Sequence, residues 1–135
     1  MATTDLAEFA DRMDKLSQVV GKNIGRAISG STRRAAIAAV GSTRVKTGRA
    51  RAGWNASIGA SVDGPLHLRD KRGLPTVERV RRVTLRYKAG QVMYLSNGVP
   101  YIGGLNRADD MSGRAVKAAV DFLRTFKFLN PNSRP

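Results

Sequence analysis

The sequence predicts an α+β domain in which a long N-terminal helix precedes a small antiparallel sheet of three or four strands, and a C-terminal helix packs on that sheet. The period of the hydrophobic pattern leads to this prediction. Apolar residues recur every three or four positions over residues 1–40 and again after residue 111, whereas they alternate with polar residues in segments between residues 54 and 96. A length of 135 residues is typical of one domain. We expect a single domain over residues 1–129 and a flexible tail over 130–135, which has two prolines and no apolar period.

The first helix is predicted from one apolar stripe. Its members recur at spacings of three and four, which places them on the same side of a helix. They are Leu6, Phe9, Ala10, Met13, Leu16, Val20, Ile24 and Ile28. Gly21, Gly25 and Gly30 each disfavour a helix interior by about 1 kcal/mol relative to alanine. They indicate either a kink or a face that another backbone approaches, so one long helix and a broken pair are both open.

Three alternating segments predict the sheet. Apolar and polar residues alternate over Trp54–Val62, as they do in a strand with one buried face. Val83–Lys88 and Gln91–Ser96 alternate in the same way, and Ala89–Gly90 between them favours a tight turn, so we expect a hairpin. Asp63–Glu78 is rich in glycine, proline and charge, which predicts a long basic loop before the hairpin.

The C-terminal helix is predicted from about Ser112 to Phe128. Its apolar residues recur at spacings of three and four, and we expect the stripe that they form to be buried against the sheet. The stripe consists of Ala115, Val116, Ala119, Val120, Leu123 and Phe126.

The formal net charge of +14 is concentrated in the middle of the chain. Residues 31–90 carry fourteen basic and three acidic side chains, whereas residues 1–30 carry four of each. Such a field attracts polyanions through counterion release. It fits contact with DNA, and equally a solvated basic face or contact with an acidic protein. The chain has no cysteine, which excludes disulfides and thiolate metal sites, and no run of about twenty apolar residues, so we expect no membrane contact.

The sequence offers no convergent set of catalytic groups, so we expect a protein that is not an enzyme and needs neither cofactor nor metal. The single histidine, His67, is expected to be exposed in the basic loop. Asp109 and Asp110 are adjacent, and we expect them to cap the following helix. The glycines lack the strand, turn and helix context of a phosphate-binding loop.

Two segments carry a resemblance to a known family. They are Thr43–Ile58 (TRVKTGRARAGWNASI) and Val92–Asn106 (VMYLSNGVPYIGGLN). Together they resemble the small head–tail joining and tail-completion proteins of the neck of tailed bacteriophages. The motif residues are Thr47, Gly48, Trp54, Asn97, Gly98, Pro100 and Tyr101.

The resemblance implies a structural virion protein that is made in the cytoplasm of the host bacterium. It implies a homo-oligomeric ring, commonly a hexamer, at the head–tail junction. Such a ring lies between connector and tail proteins and surrounds the channel through which the genomic DNA passes. A tail terminator or tail-tube subunit is the first alternative, and a free, non-specific DNA-binding protein is the second.

The motif residues also have local physical roles. Gly48 is expected to take a positive φ in a sharp turn into the sheet. Trp54, the only tryptophan, is expected to anchor the core. Asn97–Gly98 favours a tight turn, and Pro100 is expected to fix an extended segment from which Tyr101 packs inward.

The basic residues of the first motif and of the middle of the chain are our candidates for contact with DNA or with a neighbouring ring. We expect them to project towards the channel or towards an adjacent protein. They are Arg44, Lys46, Arg49, Arg51, Arg69, Lys71, Arg72, Arg79, Arg81 and Arg82.

Overall fold

The computed structural model describes residues 2–135, with side chains from Asp5 onward. Over this range the chain forms five helices and two strands. They are α1 (Ala2–Ser42), α2 (Arg49–Ala52), β1 (Trp54–Ile58), α3 (Leu74–Thr84), β2 (Met93–Asn97), α4 (Ile102–Asp109) and α5 (Met111–Thr125). The predicted α+β class, with a long N-terminal helix, an antiparallel sheet and a C-terminal helix, is confirmed. The prediction of three or four strands is wrong, because the sheet in the described residues has two.

Helix α1 is one continuous helix of 41 residues, so the broken pair is excluded. At 1.5 Å per residue it is about 60 Å long. Only Gly30 of the three glycines lies where another element comes close, since an added Cβ there would overlap the ring of Phe122. An added Cβ at Gly21 or Gly25 would meet no atom within 4 Å.

The two strands bring the two motif segments side by side. β1 pairs with β2 in antiparallel orientation, with Trp54 opposite Asn97 and Ile58 opposite Met93. The first strand ends at Ile58, before the predicted end at Val62. Gly59, which follows it, has a φ of +86° and turns the chain away from the sheet.

The predicted hairpin over Val83–Ser96 is wrong, because its first strand begins inside helix α3, which ends at Thr84, and residues 85–88 form no strand. Gly73 has a φ of +87° at the N-cap, and Pro75 stands in the first turn of the helix, where its missing N–H costs nothing. The long basic loop therefore ends at Gly73. Leu85, the middle residue of the apparent alternation, is 67% exposed and follows the helix.

The burial pattern explains why residues 74–84 form a helix. Thr76, Val80 and Thr84 recur every four residues and are buried on one face of α3. Val80 contacts Ala36 of α1 and Ala56 of β1 in one apolar cluster. The contact of Val80 with α1 thus favours a helix more strongly than the short alternation at the end of α3 favours a strand.

Helix α5 packs along α1, which corrects the prediction that it covers the sheet. Met111 and Ala115 join Ala39 and Trp54 in the main core cluster, so α5 approaches the sheet only at its first turns. The small alanines of α1 let the two helices approach closely. As a result, two members of the predicted buried stripe face outwards. They are Val116, which is 62% exposed, and Val120, which is 37% exposed.

The C-terminal segment lies against the middle of α1. The buried Asn23 amide donates hydrogen bonds to the carbonyls of Phe128 and Asn130, the latter at 2.8 Å. The Arg26 guanidinium donates to the carbonyls of Pro131 and Ser133 at 3.1 and 3.0 Å. These bonds give residues 130–135 a defined position, and their flexibility stays a prediction.

Candidate functional site

A pocket of about 650 Å³ lies where the turn before α2, the basic loop and α4 meet. Four of its lining side chains are cationic, and four others are apolar or aromatic. The cationic ones are Arg44, Lys46, Arg49 and Arg69, and the apolar or aromatic ones are Val45, Ala50, Tyr101 and Leu105. Both segments that carry the family resemblance contribute to it. We call it the cationic pocket.

Gly48 allows the basic loop to close against the first motif. Its φ is +83°, as predicted, and an added Cβ would lie 2.7 Å from backbone atoms of Asp70 and Lys71. The Gly48 carbonyl accepts hydrogen bonds from the N–H groups of Ala52 and Asp70, both at 3.0 Å. This contact places Arg69 beside the turn, although it is 21 positions further along the chain.

Asp70 holds the end of the basic loop in place. Oδ1 accepts hydrogen bonds from the N–H groups of Arg72 (3.1 Å) and Gly73 (2.7 Å). Oδ2 accepts from the N–H (2.9 Å) and the hydroxyl (2.6 Å) of Thr76. Burial on its own raises the pKa of Asp70, but the bonds from Thr76, Gly73 and Arg72 outweigh it, and the pKa is lowered. The carboxylate thus serves the start of α3, a role that the sequence analysis missed.

The second motif is joined to the first through Asn97. Its amide donates to the Ala50 carbonyl at 2.8 Å, and its Oδ1 accepts from the Val99 N–H at 3.1 Å. The predicted tight turn at Asn97–Gly98 is wrong. Asn97 ends β2, and the chain turns later, where the N–H of Ile102 bonds the carbonyl of Val99 at 3.0 Å. The Asn97 side chain, and not a glycine turn, connects the two segments.

Tyr101 lines the pocket and does not pack inward as predicted. It follows Pro100 in the turn and is 46% exposed. The guanidinium of Arg49 lies over its ring, 5.9 Å from the centroid, which is within the range of a cation–π contact. The Arg49 Nε also donates to the Leu66 carbonyl at 2.5 Å. Arg49 therefore connects the first motif, the basic loop and the second motif.

Trp54 is a buried core anchor, as predicted, and is 7% exposed. Its indole N–H donates to the hydroxyl of Thr43 at 2.9 Å, and that hydroxyl donates to the Ala39 carbonyl at 2.6 Å. Thr43 is 1% exposed, so the segment that leads into the pocket begins at a buried, hydrogen-bonded residue.

Two of the predicted contact residues hold the fold together. Arg79 donates to the carbonyls of Ala52 and Trp54 at 2.6 and 2.9 Å, and burial lowers its pKa. Arg51 donates to the carbonyls of Thr43 and Lys71 at 3.0 and 2.7 Å. Both guanidinium groups satisfy backbone acceptors, which need partners wherever water is excluded. Both side chains thus contact the backbone of the fold, and their contact with DNA or a partner stays a prediction.

Other predicted cations lie outside the pocket. Arg81 and Arg82 are on α3 and pair with Glu78 at 2.9 and 3.8 Å. Lys71 and Arg72 are exposed on the basic loop beyond Arg69. The structure therefore divides the ten candidates into pocket, scaffold and separate surface groups.

Ion pairing also differs among the pocket cations. Arg44 pairs with Asp109 at 2.9 Å. Lys46 and Arg69 make no ion pair with any residue that the structure describes. Their charges are thus available to an anion in the pocket.

The prediction that the Asp109 and Asp110 side chains cap the following helix is wrong. Asp110 occupies the N-cap of α5 with a φ of +49°, but its carboxylate makes no capping hydrogen bond. Asn106 instead accepts from the N–H of Ser112 at 2.8 Å. Asp109 is left to pair with Arg44 at the edge of the pocket. His67 is exposed in the basic loop, as predicted.

Within residues 2–135, no group of three or more histidine, cysteine, aspartate or glutamate side chains is arranged to hold a metal ion. None of the helices in this range combines the length and the apolar character needed to cross a membrane. Comparison with protein-family models, curated proteins and solved structures gives no match for the chain.

Proposed function

We propose that this chain is a structural virion protein that forms a ring at the head–tail junction of a tailed bacteriophage, and that the cationic pocket contacts the DNA in the channel. The observation that carries the proposal is the convergence of the two motif segments on one cationic pocket. The segments are separated by the basic loop and α3 in sequence, yet they pair strand to strand and meet again at Arg49 and Tyr101.

The chemistry of the pocket fits a phosphate backbone. Lys46 and Arg69 have no internal counterion in the described chain, and Arg44 is 66% exposed although it pairs with Asp109. Lysine and arginine contacts to phosphate release counterions and need no particular base sequence. A protein that lets a whole genome pass must bind in this sequence-independent way.

The pocket also supports a second candidate, a free non-specific DNA-binding protein. Both candidates bind DNA through the same cations, so DNA binding alone does not separate them. The location of the chain separates the two candidates. Imaging of purified virions is expected to find this chain as a ring at the neck, and it would also show whether the ring is a terminator or part of the tail tube. Recovery of the chain only from infected-cell extracts would contradict the structural role.

DNA binding is tested with the double variant Lys46→Gln/Arg69→Gln. The matched control is Arg114→Gln/Lys127→Gln, which removes one lysine and one arginine from exposed positions outside the pocket. Binding to a short duplex is followed by fluorescence anisotropy between 50 and 200 mM salt, concentrations at which phosphate contacts differ strongly in strength.

The slope of log Kd against log salt concentration is expected to fall by about 2 in the pocket variant, because each lost phosphate contact removes about 0.9. The control is expected to change the slope by less than half as much. Equal changes in the two variants would show that the net charge, and not the pocket, binds DNA.

A further inference from the structure

The N-terminal half of α1 projects from the domain with its apolar stripe uncovered. Every residue from Asp5 to Gln18 is exposed. Leu6 is 68% exposed and Phe9 is 62% exposed. Burial on α1 begins only at Val19, so no described part of the chain covers the stripe over residues 5–18. Exposed apolar surface of this extent marks an interaction site.

The charges around the stripe differ in sign from those of the rest of the molecule. Residues 5–15 carry four acidic and two basic side chains, in a chain of net charge +14. At 3.6 residues per turn, Asp5 and Asp14 flank the stripe, with Arg12 beside Asp5, whereas Asp11 lies on the opposite side of the helix. The stripe therefore lies on a helical segment with an excess of acidic side chains.

A groove of about 430 Å³ lies on another face of α1, between the middle of that helix and the segment after α3. Its floor includes Gly21 and Gly25, which leave open space where a Cβ would be. Leu85 and Tyr87 form an apolar wall. The charged side chains of its lining are all basic: Lys22, Arg26 and Lys88. The groove has the apolar floor and the cationic rim that an acidic amphipathic helix requires.

We propose that the N-terminal half of α1 of one molecule docks in this groove of a second copy. The occupant has to be another molecule, because the stripe and the groove lie on the same continuous helix, and a rigid helix cannot fold back onto itself. Charge complementarity favours a second copy of this chain, because residues 5–15 carry four acidic and two basic side chains, whereas the charged side chains of the groove are all basic.

The proposed contact joins two different surfaces, so it is heterologous. A heterologous contact repeats head to tail and closes into a ring when the rotation between copies allows closure. The closed ring rests on the proposed function, whereas the helix-in-groove contact requires neither DNA nor a virion. Bare glycines in the floor give the docked helix close access to the backbone of α1.

The test uses the full chain and measures self-association by analytical ultracentrifugation over a range of concentrations. Phe9→Ser/Met13→Ser removes the centre of the stripe at positions that are exposed in the single molecule. Gly25→Leu fills the groove, and Gly41→Leu is its control at another helical glycine with open space around it. Both the stripe variant and Gly25→Leu are expected to weaken self-association at least tenfold, while Gly41→Leu leaves it unchanged.

Charge tests locate the contact further. Asp14→Lys at the stripe edge is expected to weaken self-association at least threefold, and Lys22→Glu/Lys88→Glu in the groove is expected to do the same. The combination of the three changes is expected to restore most of the loss. Asp11→Lys changes the net charge by the same amount as Asp14→Lys but faces away, so its effect is expected to be smaller.

Three results would overturn the proposal. The first is a wild-type chain that stays monomeric at all concentrations. The second is self-association that Gly25→Leu leaves intact while the stripe variant abolishes it, which would show that two stripes pair with each other. The third is equal effects of Asp11→Lys and Asp14→Lys. A chain that associates head to tail but is absent from virion necks would overturn only the proposed function, so the two failures are distinguishable.

Discussion

Replacement of Asp70 by asparagine tests the support beneath the cationic pocket. Asp70 is 8% exposed and accepts four hydrogen bonds. Asparagine can keep one oxygen for the N–H groups of Arg72 and Gly73, but its amide then faces the N–H of Thr76, donor against donor. One charge-assisted bond is lost and one buried N–H is left without an acceptor, which together cost about 2–4 kcal/mol. For a domain of this size, the melting temperature is expected to fall by about 10 °C.

The effect of Asp70→Asn depends on pH with a definite sign. The pKa of Asp70 in the folded chain lies below its ordinary value of 3.8, because the bonds from Thr76, Gly73 and Arg72 outweigh burial. A carboxyl with a lowered pKa stabilises the fold fully above its unfolded-state pKa, and this stabilisation is lost as the pH falls through the folded-state pKa. The difference in stability between the wild type and the variant is therefore expected to be largest at neutral pH and to shrink below pH 3.8.

Urea unfolding followed by tryptophan fluorescence measures this difference, because Trp54 is the only tryptophan and is buried. Asp11→Asn serves as the control, since its surface pair with Lys15 is worth at most about 0.5 kcal/mol. Equal midpoints for the wild type and Asp70→Asn at pH 7, or a difference that stays constant through acid pH, would refute the reasoning.

Two further predictions concern residues around the first motif. Gly48→Ala is expected to destabilise the fold by at least about 1–2 kcal/mol, since a non-glycine residue is strained at positive φ and its Cβ would meet the backbone of Asp70. Gly41→Ala, in open space on α1, is expected to be neutral or to stabilise by up to about 1 kcal/mol, and identical melting temperatures for the two variants would contradict this. Thr43→Val removes the acceptor of the Trp54 N–H and is expected to lower the free energy of unfolding by about 1–3 kcal/mol. An unchanged urea midpoint would show that this hydrogen bond is not needed.

Local sequence patterns predict the structure correctly where it depends on one segment alone. The three-to-four spacing from Leu6 onward predicts α1, and a turn before an alternating strand predicts the positive φ of Gly48. Trp54 was recognised as a core residue because it opens the strand that alternates. In each case the informative residues lie within a few positions of one another.

Local sequence patterns predict the structure wrongly where contacts between distant segments decide it. The alternation of Val83, Leu85 and Tyr87 favours a strand, but α3, whose Val80 is buried against α1, includes Val83, and residues 85–88 form no strand. Arg51 and Arg79 looked like surface cations, but backbone carbonyls elsewhere in the fold take up their guanidinium groups. No sequence spacing reveals which acceptor a long side chain will reach.

The sequence by itself determined the α+β class, the long first helix, the position of the excess charge and the glycine turn of the first motif. Only the tertiary structure decided that the two motif segments pair strand to strand, that α5 lies on α1 and that Asp70 supports the pocket. The physical reason is the range of the interactions. Helix periodicity and backbone φ are properties of neighbouring residues, whereas the cationic pocket depends on hydrogen bonds such as those from Asp70 to Gly48 and from Asn97 to Ala50, which join parts of the chain far apart in sequence.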